Sequence, residues 1–281
     1  MRSNHSRGSA MTRRELIGGA AAGAAWLGLS ATGARAADKS LYGGFKMGIQ
    51  SYSLRGYKLD EALHHSHELG LRYWESYVAH VPLTTNKDEA AGFLGKLKAA
   101  DVKMLAHGVH AFTKDAAANR KIFEGARTLG IETLSADPTP DSFDNLDVLV
   151  EEFKINVAIH NHGPGSRYDS IASVVNAVKG RHKRIGACVD TGHFLRSKES
   201  PVAAVEQLGE RVFGCHLKDV KDATVMTIVG KGDLDTLGVL KALKKLKYRH
   251  VLALEYEENP QDPIADLREC LKTVREAAQK L

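Results

Sequence analysis

Val157-Ala-Ile-His-Asn-His-Gly163 is a short apolar run that ends in two histidines and is followed by a Gly-Pro break. Side chains alternate between the two faces of a β-strand, so His160 and His162 face the same side. The apolar residues before them favour a strand that is buried within a sheet. The run therefore predicts a buried strand whose carboxyl end carries two imidazoles.

Three later apolar runs have the same layout. Ile185–Asp190 ends in an aspartate, Val212–Leu217 carries His216 near its end, and Val251–Tyr256 carries Glu255. These residue types bind metals or transfer protons. Four strands in succession thus end in residues that can bind a metal or transfer a proton, which indicates one site built from strand ends.

Strand-like and helix-like patterns alternate along the whole chain. The predicted strands are Lys46–Tyr52, Arg72–Ser76, Lys103–His107, Glu132–Ala136, Asn156–His160, Ile185–Asp190, Val212–His216 and His250–Glu255. Amphipathic helices are predicted between and after them, at Leu59–Leu69, Asp88–Ala99, Asp115–Leu129, Asp144–Phe153, Leu237–Lys245 and Pro263–Lys280. This α/β alternation favours a single-domain (β/α)8 TIM barrel within residues 37–281. A doubly wound open sheet is the alternative, but no Gly-x-Gly-x-x-Gly turn follows the first strand.

Residues 1–36 have the layout of a secretory leader. Paired arginines at 13 and 14 precede the apolar Ile17–Thr32, and Ala34-Arg35-Ala36 provides a small-residue cleavage site. The arginine pair predicts a cleavable twin-arginine signal peptide, use of the twin-arginine export machinery, and a periplasmic or otherwise exported location. An N-terminal membrane anchor is the alternative. The short, weakly apolar core favours removal and therefore no stable anchor.

The leader also accounts for most of the positive charge. The full chain has a formal net charge of +5, and its first 36 residues contribute five arginines against Glu15. The mature chain would carry a net charge of about +1, which gives no electrostatic basis for nucleic-acid binding. The three cysteines, Cys188, Cys215 and Cys270, have no zinc-type spacing, and the first two lie within predicted strands as small apolar residues.

The chain resembles the xylose-isomerase-like superfamily of metal-dependent TIM barrels, also called the sugar phosphate isomerase/epimerase family, over Lys46–Leu281. The motifs that carry the resemblance are Gly48-Ile-Gln-Ser-Tyr-Ser-Leu-Arg55, His160-Asn-His-Gly163, Asp190-Thr-Gly-His193, His216-Leu-Lys-Asp219, Gly230-Lys-Gly-Asp-Leu-Asp235 and Leu254-Glu-Tyr256. Each motif is short. Their order on consecutive strands gives the resemblance its specificity.

The resemblance implies one divalent ion held by His160, Asp190, His216 and Glu255. Epimerase-type relatives usually carry a glutamate at the position of His160, so this chain departs from the pattern there. Two carboxylates and two imidazoles suit Mn, Co, Zn, Fe or Ni better than Mg.

The same resemblance implies proton abstraction beside a carbonyl. Glu255, His162, His193 and Lys218 are the candidate catalytic residues, with hydrogen bonding that orients a metal ligand as the alternative for the two histidines. Lys218 would stabilise an oxyanion or protonate a leaving oxygen, or else pair with Glu255 or Asp190. Hydroxyl groups of a sugar would be bound by residues at other strand ends, namely Gln50, Tyr52, Arg55, Glu75 and His107.

Three functions follow as hypotheses. The first is a metal-dependent isomerase or epimerase acting on a small-molecule carbohydrate: a free sugar, keto-sugar or cyclitol. The second is a lyase or dehydratase that eliminates from a keto-sugar or 3-keto-glycoside, favoured by the missing second carboxylate. The third is a non-catalytic sugar-binding barrel or an endonuclease-like relative.

Backbone N–H groups of Gly230–Asp235 would suit a phosphate, but the two aspartates of this segment would repel one, so an unphosphorylated substrate is expected. Association into an oligomer stays open.

Overall fold

Eight parallel strands form a closed barrel in the computed structural model, which describes residues 41–281. The predicted leader lies outside the described residues. Each barrel strand pairs with its chain neighbours, and the last strand pairs with the first. The barrel strands are β1 (Lys46–Gln50), β2 (Tyr73–Ser76), β3 (Lys103–Phe112), β4 (Thr133–Pro138), β5 (Asn156–His160), β6 (Ile185–Asp190), β7 (Val212–Leu217) and β10 (Val251–Leu254).

Helices connect the strands and surround the barrel. They are α1 (Leu59–Glu68), α2 (Lys87–Ala99), α3 (Ala116–Thr128), α4 (Phe143–Phe153), α5 (Ile171–Val178), α6 (Thr191–Arg196), α7 (Pro201–Leu208), α8 (Thr236–Lys245) and α9 (Ile264–Ala278). Several begin where the sequence provides a side-chain cap. Asn86 accepts hydrogen bonds from two backbone N–H groups of α2, and Asp115 does the same for α3.

The prediction of a single-domain (β/α)8 barrel is confirmed, and closure excludes the open sheet. Three strand ends were wrong by two residues or more, and the fourth strand is one of them, since it ends at Pro138 and not at Ala136. The first strand ends at Gln50 because the chain turns into a 3-10 helix at Ser51–Leu54. The third continues to Phe112, five residues past its predicted end, through a shift in register between His107 and His110.

A short antiparallel hairpin was not predicted. Strands β8 (Asp219–Lys221) and β9 (Val225–Thr227) follow β7 directly and lie outside the barrel sheet. The hairpin belongs to the long connection between β7 and α8, on the carboxyl side of the barrel.

The main apolar core lies between the barrel and its helices. Outward-facing strand residues such as Ile49, Trp74 and Leu134 are fully buried there against helix residues such as Phe123 and Leu267. Burying such side chains stabilises the fold by roughly 1.5–3 kcal/mol each. Cys188, Cys215 and Cys270 are free and buried, as expected of small apolar residues. None of the helices in residues 41–281 is long and apolar enough to cross a membrane.

Candidate metal centre

Four potential metal ligands converge at the carboxyl end of the barrel. His160 ends β5, Asp190 ends β6, His216 lies in β7, and Glu255 directly follows β10. Asp190 is in register with His216, and His216 is in register with Ala253, so the four side chains come from adjacent strands. One ligand atom from each residue lies within 4.8 Å of all the others.

The distances between these atoms fit a single ion. Nε2 of His160 lies 3.1 Å from Nδ1 of His216 and 3.4 Å from Oδ2 of Asp190. Nδ1 of His216 lies 3.1 Å from Oε2 of Glu255 and 3.8 Å from Oδ2 of Asp190. Ligand atoms of a tetrahedral site with bonds of about 2.1 Å lie about 3.4 Å apart. The mixed nitrogen and oxygen set also matches the expected divalent ion.

Asp190 is held so that one oxygen is left for a cation. Its Oδ1 accepts a hydrogen bond from the backbone N–H of His193 at 2.8 Å, and Asn161 bonds to the backbone N–H and C=O of Asp190. Among the described residues, the buried Oδ2 accepts no hydrogen bond of good geometry, and the ammonium of Lys218 lies 3.0 Å from it. A buried carboxylate oxygen in this position fits a metal ligand.

The buried carboxylates favour positive charge at this position. Burial works to raise the pKa of Asp190, but the ammonium of Lys218 keeps that pKa well below its usual value. Burial also works to raise the pKa of Glu255, and Lys218 and His216 lower it to about 2. Burial would lower the pKa of His216, yet nearby anions, Glu75 and Glu255 among them, raise it well above its usual value. A proton or a metal ion on His216 is stabilised by the same charges.

Glu75 lies beneath the candidate ligands and not in an open cavity. Its Oε2 accepts a hydrogen bond from Nε2 of His216 at 2.8 Å, and its Oε1 accepts one from Gln50 at 2.9 Å and one from Ser135. Glu75 and Gln50 are each only 2% exposed. The geometry therefore does not support the predicted sugar contacts of these two residues. The position of Glu75 fits a carboxylate that orients His216, so that Nδ1 of His216 faces the other three candidate ligands.

His107 was also predicted to contact sugar, and the structure places it elsewhere. It is in register with Leu134, a residue of the core between barrel and helices, and it is fully buried. Its Nε2 lies 2.7 Å from the carbonyl oxygen of Val81, and its Nδ1 lies 2.8 Å from Nε2 of His110. The imidazole thus faces away from the barrel interior and anchors the loop after β2.

Tyr52 and Arg55 lie at the rim, at the end of the first strand. The guanidinium of Arg55 lies 4.4 Å from the ring centroid of Tyr52 and donates hydrogen bonds to the carbonyl oxygens of Tyr52 and Glu257. Arg55 therefore ties two strand-end loops together. A sugar contact by either residue stays a prediction.

Lys218 enters the same centre as the candidate ligands. Its Nζ lies 3.0 Å from Oδ2 of Asp190 and 2.8 Å from Oε2 of Glu255, and it also pairs with Glu257. Burial would lower the pKa of Lys218, but these carboxylates raise it well above its usual value, so the ammonium stays charged. The ion pairs that the sequence left as an alternative for Lys218 are present.

The motif Asp190-Thr-Gly-His193 shapes the path of Lys218. A Cβ on Gly192 would lie 2.6 Å from Cγ of Lys218, so only glycine leaves room for the lysine stem. Oγ1 of Thr191 accepts a hydrogen bond from the N–H of Lys218 at 2.9 Å and donates one to its carbonyl oxygen at 2.6 Å. The motifs on β6 and β7 therefore fit each other.

His162 and His193 lie beside His160. The ring of His162 is 4.6 Å from that of His160 and 5.4 Å from that of His193, measured between centroids. Burial lowers the pKa of His162 to about 4 and that of His193 to about 3, so both imidazoles are neutral near pH 7. Arg196 donates a hydrogen bond to Nδ1 of His193, and the absence of a side chain at Gly163 makes room for its guanidinium.

The loop that was considered for phosphate binding is already occupied by a side chain. The carboxylate of Asp219 accepts hydrogen bonds from the N–H groups of Val220, Gly230, Gly232 and Leu234 at 2.8–3.0 Å. These contacts bring the loop onto the end of β7 and leave its amides unavailable to a phosphate. Sequence reasoning missed this role of Asp219. The two glycines, which allow close approach, were the available signal.

The comparisons with known proteins agree with this fold. A family model described as Xylose isomerase-like TIM barrel matches residues 63–274. The rhizopine catabolism protein MocC of Rhizobium meliloti is 28% identical over 127 residues, which cover 39% of this chain and 39% of that protein. Inosose dehydratase of Erwinia tasmaniensis is 27% identical over 143 residues, which cover 43% of this chain and 48% of that protein. The matched part is therefore less than half the length of either curated relative.

A solved structure shows the same fold and contains a metal. The IolI protein with a bound zinc atom matches with a TM-score of 0.67 at 17% identity, covering 83% of this chain and 98% of that chain. At this identity the likeness concerns the fold alone. Because the family model spans most of the sequence, the chain belongs to the xylose isomerase-like TIM barrel family.

Proposed function

We propose that this protein is a divalent-metal-dependent enzyme that removes a proton beside a carbonyl group of a free sugar, keto-sugar or cyclitol. The observation that carries the proposal is the convergence of His160, Asp190, His216 and Glu255 within one ion's reach at the catalytic end of a barrel. A bound divalent ion would act there as a Lewis acid that polarises the substrate carbonyl. The ligand set suits Mn, Co, Zn, Fe or Ni.

Glu255 is the proposed base. It is the single carboxylate of the set that follows the last strand, and Lys218 and His216 keep it ionised. Lys218 is proposed to supply a positive charge to the site, since its own pKa is too high for it to act as a base. His162 and His193 are neutral, so they are proposed to exchange hydrogen bonds with substrate or water.

Replacement of the usual glutamate by His160 bears on which reaction occurs. A reversible two-base epimerisation needs a proton acceptor on each face of the substrate. Here one face has a carboxylate and the other an imidazole, His160. An aldose–ketose shift or an elimination needs only one base to remove the proton. The lyase or dehydratase therefore stands as the second candidate, and the similarity to a protein named inosose dehydratase favours it.

The substrate is proposed to be a small unphosphorylated carbohydrate. The N–H groups of Gly230 and Gly232 donate hydrogen bonds to Asp219. They are therefore not available to the phosphate site that the sequence suggested. The near-neutral mature chain gives no support to an endonuclease-like role. A complete ligand set is not what a purely sugar-binding barrel requires.

Export is proposed on the leader sequence alone. Cleavage after Ala36 would leave a mature chain that begins at residue 37 in the periplasm. Mass spectrometry of the protein purified from its native cells tests this, and an intact leader in the cytoplasmic fraction would contradict it.

The experiment for the proposed activity is solvent proton exchange. The purified protein, loaded with Mn²⁺, is incubated in D₂O with a panel of keto-sugars and inososes, and the products are followed by NMR. Deuterium at the carbon beside the carbonyl, without loss of water or another group, supports an isomerase. An unsaturated product supports the lyase. Absence of exchange and of product across the panel, from a protein that binds the ion, would refute proton abstraction on these substrate classes.

Two variants assign the base. Glu255→Gln is expected to lower turnover by about 10²–10⁴-fold, the usual size of a general acid–base contribution. His160→Glu restores a second carboxylate and is expected to keep the ion and gain exchange on the opposite face. Exchange from both faces by the unmodified protein would show that another residue is the second base.

A further inference from the structure

We infer that Lys218 and Glu257 together set the metal affinity of the centre, because the ammonium of Lys218 shares two ligand oxygens with the ion and keeps only its pair with Glu257 when the ion binds. The inference rests on the metal site of the proposed function. It adds to that site two residues that act on it without ligating the metal.

The shared atoms are the first step. Nζ of Lys218 lies 3.0 Å from Oδ2 of Asp190 and 2.8 Å from Oε2 of Glu255. The same two oxygens lie 3.8 Å and 3.1 Å from Nδ1 of His216, on the side of the proposed ion. An ammonium and a divalent cation would thus compete for the same negative charge, and their mutual repulsion is large at such short separation.

The ammonium of Lys218 is buried and cannot reach solvent without a movement of its backbone. Its side chain is 3% exposed, and its stem passes directly over Gly192. Thr191 holds its backbone through two hydrogen bonds. A charged, buried ammonium needs an acceptor wherever it goes.

Glu257 is the nearest acceptor outside the four candidate ligands; Nε2 of His193 lies farther from Nζ of Lys218, at 3.5 Å. Its carboxylate pairs with Nζ of Lys218 but does not belong to the group of possible metal ligands. Its side chain is 30% exposed, and its backbone carbonyl accepts a hydrogen bond from Arg55, which fixes the loop. When the ion takes Asp190 and Glu255, the ammonium keeps a partner in Glu257 and stays charged.

A double-mutant cycle tests this exchange by Mn²⁺ affinity, with free Mn²⁺ measured by electron paramagnetic resonance. Lys218→Met removes the competing charge and is expected to tighten Mn²⁺ binding by about tenfold or more. Glu257→Gln leaves the ammonium on the ligand oxygens and is expected to weaken binding by a similar factor. In the Lys218→Met background, Glu257→Gln is expected to change the affinity by less than about twofold, since no ammonium remains to be moved.

The matched control is a surface pair with the same charges. Lys231 pairs with Glu269, and both side chains are more than half exposed, at 57% and 55%. Lys231→Met and Glu269→Gln are expected to leave Mn²⁺ affinity unchanged. Circular dichroism establishes that each variant is folded before it is titrated.

Two results would overturn the inference. One is an equal effect of Glu257→Gln with and without Lys218, which would mean that each charge acts on the ion independently. The other is an unchanged or weaker affinity of Lys218→Met. A protein that binds no Mn²⁺ at all would refute the metal site itself, and this inference with it.

A structure of the unmodified protein with Mn²⁺ provides a second measurement that needs no variant. We expect Nζ of Lys218 within hydrogen-bonding distance of Glu257 and beyond 4.0 Å from Oδ2 of Asp190, where it now lies 3.0 Å away. An ammonium that stays on Asp190 in the presence of the ion would contradict the exchange.

Discussion

Asp219→Asn removes the charge around which the loop after β7 is arranged. Oδ1 accepts from Val220 and Leu234, and Oδ2 accepts from Gly230 and Gly232, all at 2.8–3.0 Å. Asp219 is 1% exposed and Val220 and Leu234 are buried, so water cannot replace the bonds to Oδ1. An asparagine keeps one oxygen and turns an NH₂ group toward two N–H donors. Two donors left without an acceptor, at about 1–3 kcal/mol each where they are buried and less where water reaches them, give an expected destabilisation of roughly 1–6 kcal/mol.

Urea unfolding and amide hydrogen exchange measure this loss. The fastest gain in exchange is expected among Gly230, Gly232 and Leu234, because the N–H groups that face the amide NH₂ group lose their acceptor. Asp222→Asn is the control, since Asp222 lies exposed on the hairpin turn with a positive φ that asparagine tolerates. A loss of unfolding free energy below about 1 kcal/mol, with protection of these three amides intact, would show that the hydrogen bonds to Asp219 do not stabilise the loop.

Three further predictions concern Glu75, Gly192 and His110. Glu75→Gln removes the carboxylate beneath the ligands and is expected to weaken Mn²⁺ binding by about 10–100-fold in a calorimetric titration; an unchanged affinity would show that Glu75 does not orient a ligand. Gly192→Ala places a Cβ 2.6 Å from the Lys218 stem and is expected to destabilise the fold by about 1–3 kcal/mol in urea, whereas Gly92→Ala, where nothing lies within 4 Å, should not. Burial lowers the pKa of His110 to about 3, so the unfolded chain binds this proton first, and the free energy of unfolding should fall as pH drops from 6.5 toward 3. A pH dependence of unfolding that His110→Gln leaves unchanged would contradict that assignment.

The barrel and the convergence of four candidate ligands could be predicted because both follow from simple periodicities. Alternation places His160 and His216 on the inner face, and parallel strands bring their carboxyl ends together. The depth of a residue within the barrel does not follow from periodicity. Glu75 ends up below His216, and no feature of the sequence distinguishes that position from the rim.

The misplaced His107 has a different cause. The register of β3 against β2 shifts between Met104 and Ala106, before His107, so His107 does not follow the simple alternation from Lys103. A bulge leaves no fixed mark in a single sequence. Side-chain patterns also do not show where backbone N–H groups point. For this reason the hydrogen bonds from the loop to Asp219 were not predicted, and the loop was considered for phosphate binding.

The most direct test of the account is the position of the ion. A crystal of the protein grown with Zn²⁺ is expected to show a single anomalous peak inside the barrel, about 2.0–2.2 Å from Nε2 of His160, Nδ1 of His216, and carboxylate oxygens of Asp190 and Glu255. In crystals of Asp190→Ala the peak should be weak or absent. No peak at this position in the unmodified protein, or a peak of full height in the variant, would contradict the central claim.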